Sequence, residues 1–385
     1  MLFDRHDSID INVFLSEYWQ KKPLLIKGAL PDFIDFLSPE ELAGLACEEE
    51  VESRLVFSSN NSWQLKQGPF SERDFTFLPE HDWTLLVQSV DHWLPEIKRL
   101  LQEVSFIPSW RLDDVMISYA VANGSVGPHF DYYDVFLVQG QGIRQWQIGE
   151  TCDSSSPVNT DSGLKILENF SAQHSEELHA GDILYIPAGL SHWGTAIQPG
   201  LCYSIGFRAP DVTELLSAIS LQAEETLSAD SRYRDTDIDP QQQPGNISSS
   251  ALQQVKTLMQ DALANPDLLI HSFGRLMTEP RLAELFDPPE QEITPEKMAV
   301  MLQKGRQLIP HPATRFACHH HAGALYFFVN GESLFIPDVS DKLAELNDEL
   351  QNAKGRALDL RKFQRKEDCL KFLCALYNQG SLVTE

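Results

Sequence analysis

The sequence predicts an α+β chain. A double-stranded β-helix, or jelly roll, comes first, followed by a helical segment and a winged-helix-like C-terminal domain. Three observations carry that prediction. From Trp110 to Arg208 the pattern is one of short β-rich runs broken by Gly and Pro, as a jelly roll requires. Inside it, His129-Phe130-Asp131 is answered far downstream by His192, in Gly181-Asp-Ile-Leu-Tyr-Ile-Pro-Ala-Gly-Leu-Ser-His192. Such a set can meet only if the fold brings distant strands together. After Pro210 the period changes to helical stripes, which end around a single hairpin. The boundaries read as 1–210 for the catalytic jelly roll (core about 96–210), 211–287 for the helical region and 288–385 for the last domain.

Residues 1 to about 95 mix helix and strand signals and lead into the barrel. Between Gln88 and Val104, Leu94, Ile97, Leu100, Leu101 and Val104 have the spacing of an amphipathic helix. Val135–Gln139 and Ile143–Ile148 flank Gly140-Gln141-Gly142 and read as a tight hairpin, with Arg144 and Trp146 on one face. Asp211-x-x-Glu214 is a capping-box start, and Val212, Leu215, Leu216 and Ile219 form one stripe. Gln222 to Ser250, with Gln241-Gln-Gln-Pro-Gly245, reads as an extended connection. A second stripe follows at Leu252, Val255, Leu258, Met259 and Leu263, then a third helical segment up to Asp287-Pro-Pro289. These helices either pack on the barrel or form a dimer interface. Thr294-Pro295 starts another helix. Phe327-Phe-Val-Asn330-Gly331-Glu-Ser-Leu-Phe335 is a hairpin, and stripes follow at Leu343, Leu346, Leu350 and at Leu370, Leu373, Tyr377.

Two imidazoles and a carboxylate are the donor set that holds a non-haem ferrous ion on one face and leaves the other open. Residues i and i+2 of a strand share a side, so His129 and Asp131 can grip one ion, with His192 as the third ligand. His174 and His179 read as solvated loop and turn residues. His319-His-His321 reads as a surface tract, since neighbouring strand residues face opposite ways. Asp134 reads as a second acid, a substrate contact or a hydrogen-bonded strand-edge carboxylate. Arg144 is either a surface residue or a buried guanidinium, and a buried one needs an anionic partner.

His129-x-Asp131, Gly142-x-Arg144-x-Trp146 and the late His192 resemble the JmjC branch of the cupin superfamily. Phe14-Leu-Ser-Glu-Tyr18-Trp19-Gln-Lys-Lys22-Pro23-Leu-Leu-Ile26 and Trp110-Arg-Leu-Asp-Asp-Val-Met-Ile-Ser118-Tyr119, followed by Gly127-Pro128-His129, resemble its bacterial ribosomal oxygenases over the whole length. The resemblance implies an iron(II)- and 2-oxoglutarate-dependent dioxygenase with His129, Asp131 and His192 on the iron. It implies that Arg144 and Ser118 hold the far carboxylate of 2-oxoglutarate, and that the chain is a homodimer through the helical region. The implied reaction is hydroxylation of an arginine of a large-subunit ribosomal protein, number sixteen. Arg144 stands where the family more commonly has lysine, and the bacterial members share the arginine. Tyr133 and Asp134 are the substrate-contact candidates. Three other readings are a non-redox metal-dependent cupin (isomerase or ligand-binding module), a lysine demethylase and a scaffold with a dead barrel. Arg144 argues against the first and the complete triad against the last.

The 385 residues carry a net charge of −26. Residues 281–385 hold 13 Lys/Arg against 15 Asp/Glu, so −24 falls on the rest. That balance excludes backbone-driven nucleic-acid binding, even for a winged helix, and favours a basic protein partner. The basic run Lys354, Arg356, Arg361, Lys362, Arg365, Lys366 reads as a solvated face. Six scattered cysteines without C-x-x-C suggest reduced thiols. No apolar run reaches a membrane span, and Met1-Leu-Phe-Asp-Arg-His does not read as a signal peptide, so the expected compartment is the cytoplasm.

Overall fold

The computed structural model describes residues 4–6, 9–59, 62–236, 243–353 and 355–384. Met1-Leu-Phe, Gln241, Gln242 and Lys354 lie outside the described residues. The chain forms two compact units, Met1–Ala209 and Pro210–Glu385.

In the first unit the strands are β1 (Asp4–His6), β2 (Leu24–Ile26), β3 (Ser53–Ser59), β4 (Ser62–Gln67), β5 (Trp83–Val87), β6 (Leu112–Ala120) and β7 (Val135–Gln139). They continue as β8 (Ile143–Thr151), β9 (Val158–Asn159), β10 (Ile166–Leu167), β11 (His174–Leu178), β12 (Ile183–Ile186), β13 (Leu190–Gln198) and β14 (Gly200–Phe207). One sheet has the order β1-β2-β12-β7-β14-β6-β5-β3-β4, and a smaller one β11-β8-β13. The N-terminal strands β3 to β5 therefore extend the larger sheet.

Alternation along the larger sheet explains its two buried faces. Leu25, Val135, Leu137, Leu184, Ile186 and Cys202 meet Trp146, Ile148, Leu178 and Leu190 of the smaller sheet or its margin, forming the barrel interior. Their chain neighbours Leu24, Phe136, Val138, Ile183, Tyr185, Leu201, Tyr203 and Ile205 face the other way, into a larger core built with the N-terminal elements. A sheet buried on both faces needs apolar residues at every position, hence the unbroken runs at β7 and β12.

Two expectations are corrected here. The Gly140-Gln141-Gly142 turn does not close a hairpin, because β7 pairs with β12 and β14 while β8 pairs with β11 and β13. The turn carries the chain from one sheet to the other. Gly142 has a φ of +82°, and a Cβ at Gly140 would meet the Asp35 carboxylate at 2.1 Å. The stretch before Val104 is not an α-helix: Pro95–Gln102 is a 3-10 helix. Leu94, Ile97 and Leu100 recur every three residues, which three residues per turn place in one line. Ile97, Leu100 and Val104 are buried as the stripe implied.

In the second unit, helix Val212–Thr226 starts with the expected capping box and runs four residues beyond Gln222, into the stretch expected as connection. Helices Ser249–Leu263 and Pro266–Thr278 follow. The remaining strands are β15 (Leu308–Pro310), β16 (Phe316–His321), β17 (Ala324–Val329), β18 (Glu332–Ile336) and β19 (Leu382–Thr384). The hairpin β17–β18 turns at Asn330 and Gly331, both at positive φ, as a two-residue turn of this kind demands. Helices Pro295–Gln303, Asp341–Gln351 and Glu367–Asn378 share a core with it through Met298, Leu343, Leu346, Leu350, Leu370 and Leu373. This is the winged-helix arrangement anticipated.

Candidate metal centre

His129 and His192 are joined backbone to backbone in an isolated antiparallel bridge. Each amide donates to the other residue's carbonyl, at 3.0 and 2.8 Å. The rings consequently stand 4.3 Å apart, centroid to centroid. Both rings are turned by the same device. His129 Nδ1 bonds the Gly127 carbonyl at 2.9 Å, and His192 Nδ1 bonds the Leu190 carbonyl at 3.0 Å. A carbonyl only accepts, so Nδ1 carries the proton and Nε2 keeps its lone pair for a metal. Burial, then the neighbouring His129, push the His192 imidazole down to about 4. The ring is thus neutral at physiological pH.

Asp131 lies in the segment leading to β7, with Oδ2 3.6 Å from His192 Nε2. Its carbonyl accepts from the Gly189 amide at 2.7 Å, which ties it to the turn before His192. One donor atom from each of His129, Asp131 and His192 lies within 4.8 Å of the others. Two imidazoles and a carboxylate converging this way fit a ferrous ion, and the site fills only one side of it. The strand geometry expected for His129 and Asp131 is corrected: neither sits in a regular strand. Pro128 and the Tyr132–Tyr133 bend bracket a chain that touches the sheet once, at His129.

Deeper in the barrel, Arg144 on β8 lies between Leu178 and Ala196 and points inward. It is 7% exposed. Its Nη1 donates to Ser118 Oγ at 3.0 Å, while Nη2 is buried and finds no partner among the described residues. Burial draws the guanidinium below its ordinary range. Ser118, Cys202 and Gln139 form a row across β6, β14 and β7. Gln139 Oε1 and Trp146 Nε1 are also buried without partners. Sequence reasoning missed these two polar atoms; the alternation Val135, Leu137, Gln139 was the available signal. A buried guanidinium with an idle nitrogen is costly unless an anion sits beside it. The Trp146 ring leans on His192 at 5.8 Å, linking the anion socket to the metal donors.

The other candidates fall elsewhere. Asp134 is corrected as a substrate contact: it is wholly buried, accepting from Tyr185 Oη at 2.6 Å and Gln20 Nε2 at 3.0 Å. Its hydroxyl and amide donors hold it under the barrel wall, the hydrogen-bonded reading of that carboxylate. Tyr133 is half exposed and bonds Asp131, whose charge, followed by burial, drives the phenol pKa far up. His179 and His319–His321 are exposed, and His174 begins β11. None of them joins a metal-compatible group among the described residues.

Residues 99–215 match the JmjC domain model and residues 257–383 the ROXA-like winged helix. The chain is 38% identical over 296 residues to the ribosomal protein uL16 3-hydroxylase of Escherichia coli, covering 77% of this chain and 79% of the relative. It is 38% identical over 268 residues to a probable ribosomal oxygenase of Haemophilus influenzae, covering 68% and 66% respectively. Its fold is similar to that of the Escherichia coli ribosomal oxygenase YcfD in complex with cobalt and 2-oxoglutarate. That likeness has a TM-score of 0.83, 34% identity, and coverage of 98% of this chain and 99% of the other.

Proposed function

Because the chain belongs to the JmjC-type ribosomal oxygenases, we propose that it is an iron(II)- and 2-oxoglutarate-dependent dioxygenase. Its substrate, in this reading, is an arginine side chain of large-subunit ribosomal protein sixteen. The observation that carries the reading is the idle, buried Nη2 of Arg144 beside the His129–Asp131–His192 donor set. A non-redox cupin has no use for such an anion socket.

Bound iron and 2-oxoglutarate would supply the oxidising chemistry, putting one oxygen atom into a C–H bond and the other into succinate. The chain's own residues bind, orient and keep dry. His129, Asp131 and His192 would hold the metal, the two Nδ1–carbonyl bonds leaving Nε2 of each histidine free beside the Asp131 carboxylate. Arg144 and Ser118 would take the far carboxylate, and the Ser118 hydroxyl also accepts from Arg144 Nη1 and fixes the guanidinium. Ile148, Leu190 and Trp146 pack in the buried barrel interior and keep it apolar. Tyr133, partly exposed and bonded to the Asp131 carboxylate, is the proposed substrate contact.

The net charge of −26 supports a basic protein as partner rather than nucleic acid. We further propose a homodimer through the 211–287 region, with the winged-helix part of the same Pro210–Glu385 unit as a protein-contact surface. Val212, Leu216, Leu221, Leu252, Val255 and Met259 on its helices are exposed and apolar, surface that water does not favour. No helix among the described residues is long and apolar enough to cross a membrane, and the reduced-thiol, ribosome-directed reading places the enzyme in the cytoplasm.

Intact-mass measurement of ribosomal proteins from a strain lacking this chain tests the reaction and the target together. Loss of one oxygen atom from protein sixteen is expected. An unchanged mass spectrum of the large-subunit proteins would overturn the assignment, and a gain of methyl groups on a lysine in the deletion strain would favour the demethylase alternative.

A further inference from the structure

Both histidine donors have neighbours that face a second feature of the first unit. Pro128, before His129, and Trp193, after His192, line a groove of about 560 Å³. Its walls are Trp63 on β4, Phe170 and Trp193, and its rim carries Asp161 and Glu168; no lysine or arginine lines it. The rim belongs to a small hairpin, β9–β10, inserted between β8 and β11. That hairpin is pinned to the metal segment, because the Leu167 amide donates to the Pro128 carbonyl at 2.8 Å.

The walls are held rigidly. Trp193 Nε1 donates to Ser125 Oγ at 2.8 Å, and that hydroxyl donates to the Gly194 carbonyl at 2.7 Å. Phe170 meets the Trp193 ring edge-on at 5.8 Å, and Trp63 meets it at 6.4 Å. Trp63 also lies over Gly127, where an added Cβ would come within 2.9 Å of its indole. Trp63 Nε1 is buried and without a partner among the described residues. Three fixed aromatic faces with two exposed carboxylates above them make a seat for a cation. Ring quadrupoles attract it and the rim charges steer it.

Resting on the oxygenase reading above, we infer that this groove binds a cationic side chain flanking the reacting residue of the substrate polypeptide. It is a second recognition point, distinct from the pocket over the metal. A basic segment lying across the barrel mouth would then be held at two places, which fixes its register. Trp63, Asp161 and Glu168 are specificity residues that do not touch the reacting atoms.

The test uses the full chain, loaded with iron and 2-oxoglutarate under nitrogen. A labelled arginine–glycine repeat peptide is titrated by fluorescence anisotropy, beside the same peptide carrying citrulline, which keeps the shape and drops the charge. The wild-type protein should prefer arginine. Asp161→Asn with Glu168→Gln, both at exposed positions, should weaken arginine-peptide binding by about 3- to 20-fold at low salt and shrink the preference over citrulline. Trp63→Ala should weaken it comparably, and Trp63→Phe should restore most of the loss, since a ring face returns. Equal binding of the two peptides by wild type, which would indicate an apolar occupant, overturns the inference. So does undiminished arginine binding in the double variant. The oxygenase reading fails separately: the peptide would bind with these signatures while no substrate peptide drives succinate formation in air.

Discussion

Replacing Arg144 by methionine separates what the guanidinium does for ligand from what it costs the fold. The side chain is 7% exposed, with Nη1 bonded to Ser118 at 3.0 Å and Nη2 idle. Exchanging a poorly compensated buried ion for an apolar side chain of similar volume is stabilising by roughly 1–4 kcal/mol. The lost bond to Ser118 takes back about 1 kcal/mol. A net gain of about 2 kcal/mol raises the melting point by about 4–8 °C for a unit of this size. The ligand response should move the other way. Loss of a charge-assisted contact to a carboxylate costs about 2–5 kcal/mol of affinity, weakening 2-oxoglutarate by about 30- to 4,000-fold. At a hundred times the wild-type Kd, 2-oxoglutarate stabilises the wild-type protein by about 2.7 kcal/mol, and at that concentration the variant should gain at most about 1 kcal/mol. Calorimetric melts with manganese, with and without 2-oxoglutarate, read both effects. An Arg144→Met protein that melts below wild type and is stabilised by 2-oxoglutarate as strongly as wild type would refute the reasoning.

His192→Ala removes one of three donors, and calorimetric titration should show ferrous binding lost together with succinate formation. Gly127→Ala combines a φ of +81° with contacts of 2.7 Å to Ile166 and 2.9 Å to Trp63, so thermal melts should show destabilisation by about 1–3 kcal/mol. Metal affinity should fall with it, because the Gly127 carbonyl orients His129. Asp134→Asn weakens a buried acceptor of the Tyr185 hydroxyl and should cost about 1–3 kcal/mol of stability while leaving metal titrations unchanged. Leu216→Glu combined with Leu252→Glu should turn the sedimenting species from dimer to monomer, both residues being exposed and apolar in the native chain.

Residue types carried the chemistry in the sequence, while partners were decided by the fold. His129, Asp131 and His192 were legible because a donor set is a chemical statement that survives ignorance of local geometry. The Asn330-Gly331 hairpin and the Asp211–Glu214 capping box were legible because each is complete within a few residues. The Gly140–Gly142 turn was misread because period-2 alternation identifies strands and says nothing of which sheet they join. Asp134 stayed open between three readings because a carboxylate three residues from a metal ligand looks accessible until Tyr185 and Gln20, far away in sequence, close over it. The aromatic groove left no local signal at all: Trp63, Phe170 and Trp193 come from three separate elements.

The reciprocal amide–carbonyl pair between His129 and His192 has a bearing on how the enzyme meets a scarce and easily lost metal. Main-chain groups make that clasp, so its geometry does not depend on what the side chains hold. Capture of an ion is therefore uncoupled from folding, unlike in proteins whose metal assembles its own ligands. The protein can wait, shed its ion to a competing chelator and be reloaded, each time offering the same three-pronged socket. The cost is indiscriminate hospitality: a site set in advance to one shape also welcomes manganese or cobalt. Which ion it carries is then governed by the supply around it more than by the site.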